Sequence, residues 1–306
     1  MAVIIDRTLT KIEADTMVPS DLLHFCELLF TCGVTKIEAT PQVLTKINNF
    51  LLNPDLLSKT NAKTYFLTNY DGFFQLETND LVEQNLDFSI TATPHLNGIR
   101  LLGSDDLITR DYRTFFNNLL SSGSQYLDLC PSNKKHCATA IAIEWLLMGG
   151  QSVSCSFSGL NDDAPLEEVL MALKMNGQAD LTGDLSVFKE LRLLYEKLTG
   201  NIIPEKKAII GQGIFKVESG IHVDGILKNP RIYEPFSPES VGNKREIILG
   251  KHSGQQSVIY KMRELNLSEA GVSTVLLHLK QHCANVGKSF SDLELCTLVR
   301  EVHNGY

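Results

Sequence analysis

Residues 126–157 read YLDLCPSNKKHCATAIAIEWLLMGGQSVSCSF. Tyr126-Leu127-Asp128-Leu129 suits a strand, Ala138 to Leu147 carries a helical pattern, and Val153 to Phe157 is strand-like again. Strand, helix and strand in roughly 30 residues make a βαβ unit, whose two strands lie parallel in one sheet.

The same alternation runs toward the N-terminus. Val3 to Asp6, Lys36 to Ala39, Tyr65 to Leu67, Phe88 to Thr91 and Ile99 to Leu102 also read as strands. Helical patterns lie between most of them. After Pro19, with Ser20 as the expected N-cap, Leu22, Leu23, Cys26, Leu29 and Phe30 recur at helix spacing until Gly33. Val43 to Leu52 is a second helix, stopped by Pro54, and Thr114 to Leu120 a third. Further on, a helix from Pro165 to Met175 has Asp163 as its expected cap and Gly177 as its stop. Another spans Leu185 to Leu198 before Gly200. Seven strands precede residue 160, where a closed (β/α)8 barrel needs eight and typically about 250 residues. The reading is a parallel α/β sheet or barrel, and a barrel only if it has lost parts.

Residues 201–250 are rich in Gly, Pro and polar side chains and show little periodicity. After Ser253 the pattern is helical, in three segments. The last opens Ser291-Asp-Leu-Glu294, a capping-box arrangement. The expected organisation is an α/β domain over 1–178, a linker subdomain over 179–250, and a small helical C-terminal subdomain over 251–306.

The chain has 306 residues, 43% hydrophobic and 21% charged. That is ordinary globular composition, and it excludes wholesale disorder and a disulfide-stapled mini-protein. No stretch approaches the roughly 18–20 apolar residues of a membrane span, so no membrane partner is expected. The start, MAVIIDRTLTKIE, lacks a basic leader, and its apolar run meets Asp6 at once, unlike a signal peptide. Seven cysteines without a CxxC pair give no disulfide framework, and they read as reduced thiols of a cytoplasmic protein. A net charge of −8 without a basic stripe argues against a nucleic-acid partner.

The recognisable chemistry lies after residue 217. Residues 218–225 read ESGIHVDG, continuing ILKNPRIYEPF to Phe236, with LGKHSG at 249–254. This stretch resembles the homocitrate synthase and 2-isopropylmalate synthase family of acyl-CoA condensing enzymes. GLNDDAPLEEVLMAL at 159–173 is similar to the family's GLGERAGNAPLEEVVMAL, with the GERAGN part shortened. HCATAIAIEWLLMGGQSV at 136–153 resembles the helix before it, and VIIDRTLTKIE at 3–13 sits where the family opens with DTTLRDGEQ.

The resemblance implies a truncated or degenerate TIM-type barrel. In the family, the RD of DTTLRDGEQ supplies an Arg for the 2-oxo acid and an acidic metal ligand; here those places fall on Thr10 and Lys11, and the Gln on Ala14. Thr cannot fork two hydrogen bonds to a carboxylate as Arg does, and a charged Lys cannot ligate a hard metal. Two further family ligands come from an HxH strand, and this sequence contains no HxH. YLDLCPSN resembles the family's ADTVG strand, with Ser132 where the family has Thr, so Ser132 is a candidate for substrate binding. Asp105 and Asp106 resemble the family's ED pair, and Asp105 is the second such candidate. No cofactor is expected to bind this chain through the family ligands.

In the family, the His of ESGIHVDG and the Tyr eleven positions on act near the acetyl-CoA methyl group. Here these are His222 and Tyr233, the candidate catalytic pair. An imidazole suits proton transfer at neutral pH, and a phenol can hydrogen-bond an enolate. The family region crosses to a neighbouring subunit, and split members with alpha and omega subunits are known; this sequence resembles the omega type. The implied partner is an intact-barrel alpha-type subunit carrying a divalent metal. The implied substrates are acetyl-CoA and 2-oxoglutarate, giving homocitrate for the nitrogenase cofactor. The alternatives are a non-catalytic structural or regulatory paralogue, and a stand-alone enzyme with a rebuilt site. No new cluster of His, Asp and Glu supports the last.

Plainer readings stand beside these. Glu218, Ser219, Gly220 and Gly225 serve equally to build turns, Lys251-His252-Ser253-Gly254 to cap a helix, and Asp105 and Asp106 to cap another. His278 and His282 read as an exposed polar face, and Cys130 and Cys137 as buried small apolar residues.

Overall fold

The apolar runs of the first half of the chain form one mixed sheet. The computed structural model describes residues 2–13, 17–51, 64–70, 73–79, 81–85, 98–103, 107–121, 126–178, 180 and 182–304. Its sheet contains β1 (Val3–Asp6), β2 (Lys36–Ala39), β3 (Tyr65–Tyr70), β4 (Phe73–Thr78), β5 (Val82–Asn85), β6 (Gly98–Gly103), β7 (Tyr126–Pro131) and β8 (Ser152–Cys155). The order is β4-β3-β2-β1-β8-β7-β6-β5. Every pair of sequential neighbours except β4 and β5 is hydrogen-bonded, and the first strand lies parallel to the last, as in a (β/α) barrel. Among the described residues β4 and β5 end the sheet, so the ring is open there. Only β3 runs against the others, antiparallel to both β2 and β4. The fold is the expected α/β degenerate barrel, followed by a helical C-terminal region.

Five of the seven expected strands recur as β1, β2, β6, β7 and β8, and Tyr65 to Leu67 lies within β3. Phe88 to Thr91 lies outside the described residues. The hairpin strand β4 and the polar strand β5 are additions to the sequence reading.

Helices α1 (Pro19–Thr31), α2 (Pro41–Leu51), α3 (Tyr112–Ser121), α4 (Ala138–Leu147), α5 (Leu166–Met175) and α6 (Phe188–Thr199) accompany the sheet. Their starts correct two expected caps. Pro19 is itself in the first turn of α1, where its missing N–H is harmless, and Val18 precedes it as N-cap; Ser20 does not cap. Pro165 is the N-cap of α5, and Asp163 is used elsewhere.

The chain divides into two compact units, Met1–Gly211 and Gln212–Tyr306, where the sequence suggested joins at 178 and 250. The segment after 178 stays with the sheet unit because α6 packs on α1. The Phe157 ring lies 6.3 Å from Phe25 of α1 and 5.5 Å from Tyr195 of α6. Phe188, Leu191 and Tyr195 are buried there.

The second unit pairs β9 (Lys216–Val217) with β10 (Glu246–Ile247) and adds α7 (Gly220–Lys228), α8 (Gln255–Glu264), α9 (Val272–Val286) and α10 (Asp292–Asn304). Leu249, Val258, Met262, Val275, Leu279, Leu295 and Val299 form its core. The capping box forms as expected: Ser291 N donates to Glu294 Oε2 at 2.7 Å, and Glu294 N to Ser291 Oγ at 3.3 Å. Among the described residues no helix is long and apolar enough to cross a membrane.

A buried ion network shows that the sheet curls. Four strand steps separate β2 from β6, roughly 19 Å in a flat sheet and beyond the combined reach of two side chains. Yet Arg100 Nη1 of β6 lies 2.8 Å from Glu38 Oε2 of β2. Glu38 also accepts from Arg7 Nε at 3.1 Å, Asn79 Nδ2 at 2.7 Å and Thr64 Oγ1 at 3.3 Å. Arg100 Nε donates to Asp128 Oδ2 at 2.6 Å, and the Ser152 and Ser154 hydroxyls donate to the same carboxylate at 2.8 and 2.7 Å. Arg100, Glu38 and Asp128 are all buried. Barrel interiors are usually filled by apolar layers; this one holds paired charges.

Removing one partner of a buried pair strands the other charge, which typically lowers stability by about 3–5 kcal/mol. Glu38→Ala is therefore expected to lower the urea unfolding free energy by about that much. Glu77→Ala removes the half-exposed partner of Lys36 and is expected to change it by less than about 1 kcal/mol. Equal effects from the two variants would contradict this role for Glu38.

Two buried carboxyls make stability depend on pH. Burial raises Asp6 from 3.8 to about 7, against lowering by the Thr8 hydrogen bonds and Lys11. Burial also raises Glu167 from 4.5 to about 7, against lowering by Lys207. Each folded carboxyl holds its proton to a higher pH than the unfolded chain does. Their contribution is complete below about pH 4 and is lost as pH rises to about 7. Asp6→Asn should thus gain on the wild type between pH 5 and pH 8, by on the order of 2 kcal/mol. Urea titrations at both values check this, and a constant offset would contradict it.

Candidate functional site

At the end of β1 the chain turns through a 3-10 segment, Thr8–Thr10, which places Lys11 beside the segment after β8. Lys11 Nζ is ion-paired with Asp163 and donates to Leu160 O at 3.0 Å. Both side chains are nearly buried. Thr10 spends its hydroxyl on its own turn, donating to Arg7 O at 2.8 Å. Ser132, just past β7, forms an isolated antiparallel bridge with Asp163. Its amide donates to Gly103 O at 2.6 Å, and its hydroxyl accepts from Lys134 N at 3.5 Å. Asp105 and Asp106 lie outside the described residues, as does Ala14.

Residues 157–162 follow β8 in a strained path. Ser158, Asn161 and Asp162 are non-glycine residues with φ of 62°, 55° and 61°. Left-handed backbone of this kind is kept only where the surroundings over-determine it. Here Phe157 N donates to Thr8 Oγ1 and Ser158 N to Glu167 Oε2, at 2.8 and 2.9 Å. Leu160 O accepts from Ser156 Oγ and from Lys11. Lys11 is therefore part of what holds the shortened loop.

A divalent metal at this place needs several oxygen or imidazole ligands. The position that the resemblance marks for an acidic ligand carries an ammonium already paired with Asp163. Among the described residues no three His, Cys, Asp or Glu side chains gather so that they could hold a metal ion. The residues present do not fit the family's metal. Cys130 is buried as expected and accepts from Arg7 Nη1 at 3.2 Å; Cys137 is only half-buried, its thiol donating to Lys135 O.

The second unit brings the candidate catalytic pair together. ESGIHVDG is mostly helix: Ser219 is the N-cap of α7, and Gly220 to Gly225 are its first residues. Its two glycines lower helix propensity, but close packing requires both. A Cβ on Gly220 would lie 2.6 Å from Gly254 N, and one on Gly225 would overlap Tyr233 Cε2. Gly225 stands three residues after His222, on the same helix face. The Tyr233 ring therefore rests on α7 beside His222, with ring centroids 4.8 Å apart and planes tilted by 49°. Both side chains are exposed, as are Ile221 and Ile232 nearby. Glu218 fixes the start of α7, accepting from His252 N at 2.9 Å.

LGKHSG does not cap α8 with its serine. Ser253 Oγ accepts instead from Gly250 N at 2.9 Å, closing a turn, and Gly254 is the N-cap without a side-chain bond. His278 and His282 line a cavity of about 380 Å³ in this unit with Phe290, Glu294 and Glu301. His282 Nε2 lies 3.6 Å from Glu294 Oε1. The bidentate pair Glu234–Arg245, absent from the sequence reading, joins residues eleven apart and has no local sequence signature.

Comparison with known proteins gives the family. Residues 209–287 match the family model "Homocitrate synthase post-HMGL domain-like". The chain is 31% identical to the homocitrate synthase omega subunit of Clostridium pasteurianum, over 99% of this chain and 96% of that one. It is 39% identical to 2-isopropylmalate synthase 2 of Caldanaerobacter subterraneus, over 54% of this chain and 44% of that one. It is 43% identical to homocitrate synthase AksA of Methanothermobacter thermautotrophicus, over 42% of this chain and 34% of that one. Likeness to an omega subunit over nearly the full length of both chains places this protein in the homocitrate synthase and isopropylmalate synthase family.

Proposed function

We propose that this chain is an omega-type subunit of a two-chain homocitrate synthase. It joins an intact-barrel alpha-type subunit, to whose metal-bearing site it offers His222 and Tyr233. The observation that carries the reading is the contrast between the two units. His222 and Tyr233 stand side by side on an exposed face, while Lys11 fills the ligand position of the barrel with a paired ammonium.

The reaction condenses acetyl-CoA with 2-oxoglutarate and water, giving homocitrate, CoA and a proton. A base removes a proton from the acetyl methyl, the resulting enolate carbon bonds to the keto carbon, and water then cleaves the thioester. Polarising the keto carbonyl is Lewis-acid chemistry, which a divalent metal on the partner supplies when bound. His222 serves as the base near neutral pH, and the Tyr233 hydroxyl donates a hydrogen bond to the enolate oxygen. Homocitrate made this way is the organic acid of the nitrogenase iron–molybdenum cofactor.

The test is an assay of homocitrate formation with this chain alone, an intact-barrel relative alone, and both together. Activity is expected only in the mixture, and His222→Ala is expected to lower its kcat by at least about a hundredfold. A mixture that stays fully active with His222→Ala would overturn the donor reading in favour of a structural or regulatory paralogue. Metal-dependent activity of this chain alone would point to a rebuilt site of its own.

A further inference from the structure

We infer that the Glu234–Arg245 ion pair is a strut that sets the Tyr233 ring against His222, making Glu234 and Arg245 positioning residues for the proton-transfer pair; this rests on the catalytic reading above. Tyr233 is 41% exposed, so burial alone holds it weakly. Its upstream side is tied to α7 through the backbone. Asn229 N donates to Gly225 O at 2.8 Å, and Asn229 Oδ1 accepts from Arg231 N at 3.2 Å. Tyr233 N and Glu234 N both donate to Pro230 O, at 3.0 and 2.9 Å.

On the downstream side Phe236 packs edge-on against Phe215 at 5.6 Å, and one side chain next to Tyr233 adds a directed polar tie. Glu234, nearly buried, receives Arg245 Nε and Nη2 on its two oxygens, each at 2.6 Å. A two-point fork fixes direction as well as distance, which a single contact does not. Arg245 immediately precedes β10, and Glu246 N donates to Phe215 O at 3.1 Å at the start of the β9 pairing. β9 leads through Glu218 and Ser219 directly into α7. The strut therefore closes a circuit: α7, the Pro230 turn, Tyr233, Glu234, Arg245, β10, β9 and α7 again. His222 and Tyr233 sit on opposite arms of that circuit, and Gly225 leaves the space in which their rings meet.

Arg245→Ala, Arg245→Lys and the exchanged pair Glu234→Arg/Arg245→Glu test this in the full chain. Two readings are taken: the NMR contact between the His222 and Tyr233 ring protons, and the kcat and KM of the mixture with an intact-barrel partner. Arg245→Ala is expected to lose the contact and to lower kcat by more than about tenfold, with KM for acetyl-CoA within about twofold. Arg245→Lys keeps the charge without the fork and is expected to fall between. The exchanged pair is expected to restore part of both readings, which loss of folding would not allow. A ring contact that persists in folded Arg245→Ala overturns the strut whatever the activity. Loss of the contact with full activity, in that variant and in His222→Ala alike, supports the strut's geometry and overturns the catalytic reading on which its purpose rests.

Discussion

The Glu38 carboxylate is the point on which the sheet unit depends. It takes two guanidinium groups, from the end of β1 and from β6, and two neutral donors flanking β3 and β4. A carboxylate in an apolar interior without such partners would be strongly disfavoured. With them, it ties together strands that a flat sheet would keep apart. The curl that in a closed barrel comes from a complete ring of backbone hydrogen bonds is here supported by side-chain charge across the interior.

That arrangement has a chemical consequence. The middle of such a sheet is filled by Arg7, Glu38, Arg100 and Asp128, all committed to one another. At the strand ends, Lys11 and Asp163 neutralise each other and steady the strained segment after β8. Groups so engaged are structural. The second unit has the opposite character: its buried residues fix the backbone of α7 and the turn after it, and His222 and Tyr233 are left exposed together. The paired Lys11 ammonium in one unit and the exposed His222–Tyr233 pair in the other are the physical basis for the proposal that the chain is one half of a two-chain enzyme.

Much of this was legible in the sequence, for identifiable reasons. The 126–157 unit reads correctly because Leu127, Leu129 and Val153 mark its strands and α4 is bounded as its pattern suggests. The hairpin of β3 and β4 escaped, although Asp71-Gly72 between two aromatic runs is a recognised turn signal. β5 escaped because VEQN is polar and mostly exposed. α7 was hidden by two glycines whose purpose, close packing against Gly254 and Tyr233, exists only in three dimensions. Arg100 and Glu38 sit in short strands where a charge ordinarily marks a solvent face. Nothing local says that they meet across the curled sheet. Asp163 looked like a helix cap by position, but Lys11 claims it from far along the chain.

We propose that Lys11, paired with Asp163, stands where the family resemblance implies a metal ligand and keeps a divalent metal from binding there. Manganese titration followed by electron paramagnetic resonance tests this most directly, on the isolated full chain and on its Lys11→Asp variant. The expected result is no stoichiometric Mn²⁺ binding to the wild type and measurable binding once residue 11 is a carboxylate facing Asp163. One tightly bound Mn²⁺ per wild-type chain, lost on Asp163→Asn, would contradict it.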